Sequence, residues 1–206
     1  MAPRRRPAAE TFIERHRLWT DEQSRQAKAV AQQIKRDKLE LVRFSFADQH
    51  GVLRGKTLVA ADALNAMTSG VTMTTTLLAK DTAHKTVYPV FTAGGGFDMV
   101  EMQGGGDFVM VADPATFQVL PWTQNNGPPH TGWLLCDIVF TNGKPVPFST
   151  RQILRDALGR LAAQGFDFLA GLEVEFHLFK LENPRLTPED ATWPPRAPEV
   201  TLLNQG

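Results

Sequence analysis

The chain lacks two features that would narrow its class at once: paired cysteines and an excess of charge of one sign. Its 206 residues include one cysteine, Cys136, so no intrachain disulfide can form. A reducing, cytoplasmic setting is the simplest interpretation. The 22 Lys and Arg residues are balanced by 22 Asp and Glu residues. Nucleic-acid-binding domains and polybasic membrane binders usually carry a basic surplus, so this balance argues against both kinds of partner.

Long apolar runs are missing as well. No window approaches the roughly 18 consecutive apolar residues that a membrane-spanning helix needs. The arginines Arg4, Arg5 and Arg6 are not followed by the apolar run of a secretory signal, so a solvated tail is expected. The hydrophobic fraction of 42% and the charged fraction of 21% are those of an ordinary globular protein.

Hydrophobic periodicity in the first third of the chain predicts an α+β fold. After the tail, a helix is expected to begin at the capping box that starts with Thr20 and to end near Lys38. From Leu41 the period changes to two, which predicts a half-buried strand, a turn and a returning strand that ends at Val59. A short helix should follow and stop at Gly70.

Further strands are predicted in the glycine-rich middle of the chain and in the apolar run after it. The candidates are residues 86–91, 99–102, 108–111, 116–120 and 133–140. The last of these is apolar on both faces and is therefore expected to be a central strand.

A second pattern begins after residue 146. Ser149 and Gln152 predict a capping box, followed by a helix with a buried apolar stripe that ends at Gly165. A strand over residues 172–179 comes next, with no later element expected. One helix and one strand cannot bury both faces of that strand, so residues 147–206 are expected to be the incomplete beginning of a larger domain.

Strand 172–179 is the most informative stretch for function. Alternation places Glu173, Glu175 and His177 on one face. Residues two apart on a strand are roughly 7 Å apart, so the two carboxylates could bind neighbouring hard cations such as Mg²⁺ or Mn²⁺, with His177 as a supporting residue. A strand with one polar, solvent-facing side explains the same alternation, and the spacing leaves both interpretations open.

Other candidate motifs fail on their spacing or context. Residues 51–57 have three residues between the first glycine and Gly-Lys-Thr, where a phosphate-binding loop needs four. The glycine triplets at 94–96 and 104–106 separate predicted strands and are not followed by a helix, so they lack the strand–glycine–helix context of a phosphate-binding loop. The five histidines show no metal-ligand spacing with one another or with Cys136.

Four stretches, in order, resemble the N-terminal part of the glutamine synthetase family, which includes glutamine synthetase and related glutamate–amine ligases. They are residues 42–56, 106–114, 133–138 and 171–176, within a resemblance over about residues 38–182. The resemblance implies an N-terminal tail and helix over residues 1–37 and a β-grasp domain over residues 38–141. It also implies a glutamine synthetase-type catalytic domain that begins at residue 147 and is incomplete at residue 206.

The resemblance also implies a reaction. ATP phosphorylates the γ-carboxylate of glutamate, and ammonia or an amine then attacks the acyl phosphate. Two divalent cations, Mg²⁺ or Mn²⁺, neutralise the transferred charge. By position, Glu175 corresponds to a ligand of the metal nearer glutamate, and Glu173 to a ligand of the metal nearer the ATP phosphates. The family assembles as a homo-oligomeric ring, a dodecamer, in which a loop of the β-grasp domain completes the neighbouring active site.

The sequence departs from the family pattern at that loop. The family's ammonium-binding Asp-Gly-Ser-Ser would fall near residues 71–80, where no aspartate occurs before Asp81. An organic amine in place of ammonia, or a glutamate analogue in place of glutamate, is therefore a candidate substrate. Two carboxylates alone cannot hold Mg²⁺ firmly, so these 206 residues are expected to be inactive by themselves. The alternative is a non-catalytic β-grasp interaction module that binds partners by strand addition at an exposed sheet edge. A regulatory remnant of a ligase paralogue, which would occupy one position in a full-length ring, is the other form of this alternative.

Overall fold

A computed structural model of the chain describes residues 10–124, 127–183, 185, 187–190 and 196–205. The chain divides into two compact units, residues 1–165 and residues 166–206. The part of the predicted tail before residue 10 lies outside the described residues. Among the helices that are described, none has the length and apolar character needed to cross a membrane.

The first unit is a mixed α/β structure. Its helices and strands, in chain order, are α1 (Phe12–His16), α2 (Asp21–Arg36), β1 (Leu41–Ala47), β2 (Leu53–Val59), α3 (Ala60–Ser69), β3 (Val71–Thr74), β4 (Asp107–Ala112), β5 (Gln118–Val119), β6 (Thr131–Phe140) and α4 (Thr150–Ala162). Short 3₁₀ helices occupy Thr75–Ala79, Val100–Gly105 and Pro114–Thr116.

The strands form a single six-stranded sheet in the order β2-β1-β6-β4-β3, with the short β5 also paired to β6. β1 and β6 run parallel, whereas the other pairs are antiparallel. The predicted hairpin of β1 and β2 is confirmed, with Leu41 opposite Val59. The predicted central strand is confirmed as β6, where the sole cysteine, Cys136, is 1% exposed.

Both faces of the sheet are covered. On one face, α2 and α3 pack their apolar stripes against a core that contains the rings of Phe44, Phe46 and Phe108. The Phe46 and Phe108 rings meet edge to face with centroids 5.2 Å apart. On the other face, Ile13 of α1 packs with side chains of β4 and β6. The apolar run in the sequence of β6 is therefore explained by a strand that is buried on both faces, and β4 is buried in the same way.

The helix α1 corrects the expectation that the solvated tail extends up to the helix predicted to begin at Thr20. Thr11 and Glu14 form a capping box, in which the Thr11 hydroxyl accepts the Glu14 N–H and the Glu14 carboxylate accepts the Thr11 N–H at 2.8 Å. The buried Ile13 then fixes this single turn against the sheet. The signal was present in the sequence as Thr-x-x-Glu, but only five residues are helical, which is too short for a periodic stripe.

The glycine-rich middle differs most from the predicted strands. Residues 108–111 lie in β4, as predicted, but only two residues of 116–120 form a strand, β5. Residues 86–91 are not a strand, and most of 99–102 lies in a 3₁₀ helix whose Met102 is fully buried. The unpredicted β3 instead pairs with β4. In this region, irregular turns bury single apolar residues such as Val90 and Met102. Their spacing in the sequence resembles that of short strands.

The helix α4 forms as predicted, but not with the predicted cap or burial. Ser149 makes no side-chain cap hydrogen bond, and none of the helix residues is buried. Its apolar stripe is exposed, with Ile153 and Leu154 at 51% and 55%. Ion pairs attach the helix to the rest of the first unit: Arg151 with Asp113 and Asp137, and Arg155 with Asp137.

The second unit contains a two-stranded antiparallel sheet of β7 (His177–Leu181) and β8 (Val200–Gln205). The strand predicted over residues 172–179 is therefore wrong in its bounds, and the expectation of no later element is wrong because of β8. Residues 171–176 have no regular secondary structure. Within the described residues they have no neighbouring strand to pair with, so alternation alone did not make them a strand.

Two glycines give a matched test of backbone packing in the first unit. A Cβ at Gly55 in β2 would lie 1.8 Å from the Phe44 carbonyl oxygen, whereas one at Gly159 in α4 meets nothing within 4 Å. We expect Gly55→Ala to lower the free energy of unfolding by at least about 2 kcal/mol. Gly159→Ala should raise it by about 0.5–1 kcal/mol, because alanine favours a helix interior. Urea unfolding of both variants measures this, and equal effects would contradict it.

Candidate functional site

The predicted metal ligands Glu173 and Glu175 lie in the second unit, in the irregular segment that precedes β7. Both residues are exposed. His177 is the first residue of β7, and its ring lies 6.1 Å from the Phe179 ring, measured between centroids. The structure therefore places the two carboxylates two positions apart on an open segment rather than on one face of a strand.

The two carboxylates have the right donor chemistry for Mg²⁺ or Mn²⁺, which prefer oxygen ligands. Over the described residues, however, no group of three or more His, Cys, Asp or Glu side chains forms that could hold a metal ion. Near-octahedral Mg²⁺ needs more ligands than this pair supplies. The described residues thus fit a part of a metal site and do not complete one.

A second polar centre, which the sequence analysis did not single out, lies at the turn between β1 and β2. Asp48 is 2% exposed. Its Oδ1 accepts the backbone N–H groups of His50 and Val52 at 2.9 and 3.0 Å, and its Oδ2 accepts Arg54 Nε at 2.6 Å. Burial alone would raise the pKa of Asp48, but the hydrogen bonds from Arg54 and the two N–H groups outweigh it and lower that pKa.

The same turn is tied to the segment after β3. Gln49 Nε2 donates to the carbonyl oxygens of Leu78 and Lys80, both at 3.0 Å. His50 Nε2 lies 3.0 Å from the Lys80 carbonyl oxygen, which can only accept, so this nitrogen carries the proton. The buried Asp48 therefore fixes a turn whose next two side chains hold a neighbouring loop.

Residues 71–80, where the resemblance places a loop that binds ammonium, form β3 and the 3₁₀ helix Thr75–Ala79. This segment contains no carboxylate side chain. Thr75 is fully buried, and its hydroxyl has no hydrogen-bond partner among the described residues. The hydroxyls of Thr74 and Thr76 lie 3.1 Å apart. The segment therefore contains neutral hydroxyls at the place where the pattern that the sequence resembles has an aspartate.

Comparison with known proteins gives a consistent set of relatives, although no family model matches the chain. The γ-glutamylanilide synthase of an Acinetobacter species is 38% identical over 95% of this chain and 39% of its own length. The γ-glutamylethanolamide synthetase GlnA4 of Streptomyces coelicolor is 35% identical over 69% of this chain and 29% of its own length. The glutamine synthetase of Mycobacterium tuberculosis is 37% identical over 44% of this chain and 21% of its own length.

The chain belongs to the glutamine synthetase family. The resemblance stated from four sequence stretches is thereby confirmed. This glutamine synthetase-family chain spans about two fifths or less of the length of these relatives. A solved structure of a GmaS–ADP complex covers 65% of this family member and 25% of its own chain, at 26% identity and a TM-score of 0.46.

Proposed function

We propose that a protein containing this chain is an ATP-dependent ligase that joins the γ-carboxylate of glutamate to an amine through a γ-glutamyl phosphate. The observation that carries the proposal is the 38% identity to γ-glutamylanilide synthase over 95% of the chain. The agreement extends through both compact units, including the segment with Glu173 and Glu175. A cytoplasmic location follows from the same proposal and accords with a single, buried thiol.

The proposal assigns a β-grasp domain to residues 38–141, after a tail and helix over residues 1–37. The mixed sheet, in which β1 and β6 are parallel neighbours flanked by antiparallel strands, supports this assignment. Residues 147–206 are assigned to the beginning of the catalytic domain. As in the family, the protein is proposed to act as a homo-oligomeric ring.

Glu173 and Glu175 are proposed as two of the ligands of a pair of divalent cations, Mg²⁺ or Mn²⁺. When bound, such cations neutralise the charge on the phosphoryl group of ATP as it moves to glutamate. The exposed carboxylates on an open segment are accessible to further ligands that complete the coordination. Their role is to supply negatively charged oxygens two positions apart in the chain. A neutral replacement at either position should therefore weaken cation binding strongly.

The amine is proposed to be organic rather than ammonia. Residues 71–80 offer no carboxylate to attract an ammonium ion. Neutral threonine hydroxyls occupy that segment instead, and the hydroxyl of the buried Thr75 has no hydrogen-bond partner in the described part of the chain. Two of the relatives compared above are named for the amides of aniline and ethanolamine, which are organic amines.

The proposal is tested with the protein that contains this chain at its natural length. Glutamate, ATP and Mg²⁺ are supplied with aniline, ethanolamine, isopropylamine or ammonia in turn, and the γ-glutamyl amide is quantified by mass spectrometry. We expect the highest kcat/KM with an organic amine. Highest kcat/KM with ammonia would overturn the assignment of the amine, and no amide from any amine would overturn the ligase assignment.

The 206 residues by themselves should form no product in the same assay. The reason is that the described residues gather no metal site of three or more ligands, and two carboxylates hold Mg²⁺ weakly. The comparison is made at equal molar concentration with the natural-length protein, which serves as the positive control. Amide formation above the enzyme-free background would show that the chain completes the site alone, for example by self-association.

A further inference from the structure

A cavity of about 570 Å³ lies in the first unit, beside the turn between β1 and β2. Three aromatic side chains line it: Tyr88, Phe97 and Phe148. The ring of Phe97 contacts both of the others, with its centroid 4.5 Å from that of Tyr88 and 5.6 Å from that of Phe148. A volume in the range of about 300–1,000 Å³ with an aromatic wall is typical of small-molecule sites.

The aromatic wall is held in place by an uncommon backbone conformation. Phe97 and the following Asp98 both have φ of 58°, in the left-handed region that side chains other than glycine seldom adopt. Such strain costs about 1–3 kcal/mol per residue and is concentrated at ligand-binding and active sites. Phe97 is nevertheless 40% exposed, so its ring faces an open cavity and not the sheet core.

The polar side chains that line the cavity have acceptors left to offer. Gln49 donates from its amide nitrogen to two backbone carbonyl oxygens, and its amide oxygen can accept a hydrogen bond from a ligand. His50 donates from Nε2, so Nδ1 of the neutral ring is an acceptor. Asp81 accepts the Lys85 backbone N–H at Oδ1, and its Oδ2 can accept a hydrogen bond from a ligand. A ligand that donates several hydrogen bonds would match these three groups.

The lining of the cavity favours a cationic ligand. Asp81 is the one carboxylate among the lining residues, and no Lys or Arg is among them. The ammonium of the adjacent Lys80 is directed to the His84 carbonyl oxygen and the Thr86 hydroxyl, at 3.2 and 3.3 Å. Arg54 is paired with Asp48. Lys80 and Arg54 are therefore already engaged, whereas Asp81 has a second carboxylate oxygen that can accept from a cationic ligand.

We propose that this cavity binds a small arylalkyl ammonium ion, with the ring against Tyr88, Phe97 and Phe148 and the ammonium group at Asp81. Aromatic faces attract cations as well as rings, and the three acceptors suit the three N–H donors of a primary ammonium. The cavity lies within the first unit, whereas Glu173 and Glu175 lie in the second. The inference therefore stands or falls separately from the proposed ligase reaction.

Tyr88 makes the test direct, because it is the only tyrosine in the chain. The chain is labelled with ¹³C-ring tyrosine, and benzylammonium is titrated while the single tyrosine signal is followed by NMR. We expect a saturable shift of this signal. Asp81→Asn should weaken binding about fivefold, as expected for loss of a partly exposed ion pair. Asparagine retains an oxygen for the Lys85 N–H, so the loop should keep its conformation.

The matched controls are Asp107→Asn, an exposed carboxylate that does not line the cavity, and benzyl alcohol, which has the ring without the charge. Asp107→Asn should bind benzylammonium as the unaltered chain does, and benzyl alcohol should bind at least several-fold more weakly. No saturable shift with benzylammonium, or equal affinity for both compounds, would overturn the proposal. The comparison of the two compounds uses the unaltered chain. It therefore tests whether the cavity selects the ammonium group even if Asp81→Asn fails to fold.

Discussion

Exchange of either Glu173 or Glu175 for glutamine should lower kcat of the natural-length protein by at least about 100-fold. Electrostatic stabilisation of charge that develops in the transition state is a large part of catalysis, and loss of one such contact costs about 100- to 1,000-fold. Glutamine keeps the size and one oxygen of the side chain but removes the negative charge that a divalent cation requires. Because both residues are exposed, neither substitution should disturb folding.

The control for this prediction is Glu199→Gln, which neutralises another exposed glutamate of the second unit. Its kcat should stay within about twofold of the unaltered protein, as surface substitutions away from special features have small effects. Binding of Mn²⁺, followed by electron paramagnetic resonance, separates the metal from the chemistry. Unaltered Mn²⁺ binding together with unaltered kcat in Glu173→Gln and Glu175→Gln would refute the assignment of these residues as metal ligands. Full activity with weakened Mn²⁺ binding would instead contradict the predicted loss of kcat.

Asp48→Asn should lower the free energy of unfolding by about 3 kcal/mol, because it breaks a buried ion pair from one side. The side chain of Asp48 is completely buried, and that of Arg54 is 14% exposed. Asparagine keeps an oxygen for the N–H groups of His50 and Val52, but its NH₂ then faces Arg54 Nε, so two donors meet. Urea unfolding at neutral pH measures the loss.

The effect of Asp48→Asn should depend on pH in a defined direction. The pKa of Asp48 is lowered in the folded chain from its ordinary value of 3.8. A lowered pKa contributes stability that is fully present above the unfolded value and is lost as pH falls through the folded one. The difference between the unaltered chain and Asp48→Asn should therefore be constant near neutrality and shrink below about pH 4.

Asp107→Asn serves as the control for Asp48→Asn, since Asp107 is exposed at the start of β4. It should change the free energy of unfolding by less than about 0.5 kcal/mol at any pH. If Asp48→Asn lowers the free energy of unfolding by less than about 1 kcal/mol, the Asp48–Arg54 pair contributes no more than a surface salt bridge. That result would contradict the view that this pair is desolvated. A loss that grows on acidification would contradict the direction of the pKa shift.

The elements that the sequence predicted well are those whose local signals agree with their tertiary surroundings. α2 has both a capping box at Thr20 and a stripe that faces the core. β1 alternates because one face of it packs on the core. In contrast, residues 172–179 alternate as clearly, yet only those from His177 onward lie in a strand. Pairing with β8 decides this, and β8 lies some twenty residues further along the chain.

The candidate sites show the same limit. Glu173 and Glu175 could be chosen from the sequence because they are adjacent in one short segment. The Asp48–Arg54 pair could have been suspected from the turn between two strands, but its burial depends on packing around it. The cavity at Tyr88 could not be predicted, since it combines side chains from residues as distant as 49, 97 and 148. The backbone conformation that positions Phe97 also has no sequence signal, because phenylalanine is unusual at positive φ.

The position of Cys136 in the central strand has a practical consequence for measuring these effects. Burial and the adjacent Asp137 raise the pKa of this thiol, and the thiolate is the form that reacts with alkylating reagents. The folded chain should therefore be nearly inert to such reagents, and its single thiol should react only when β6 is released from the sheet. The rate of thiol labelling in native buffer then measures how often the sheet opens transiently. The measurement needs no denaturant, and no second cysteine competes for the reagent.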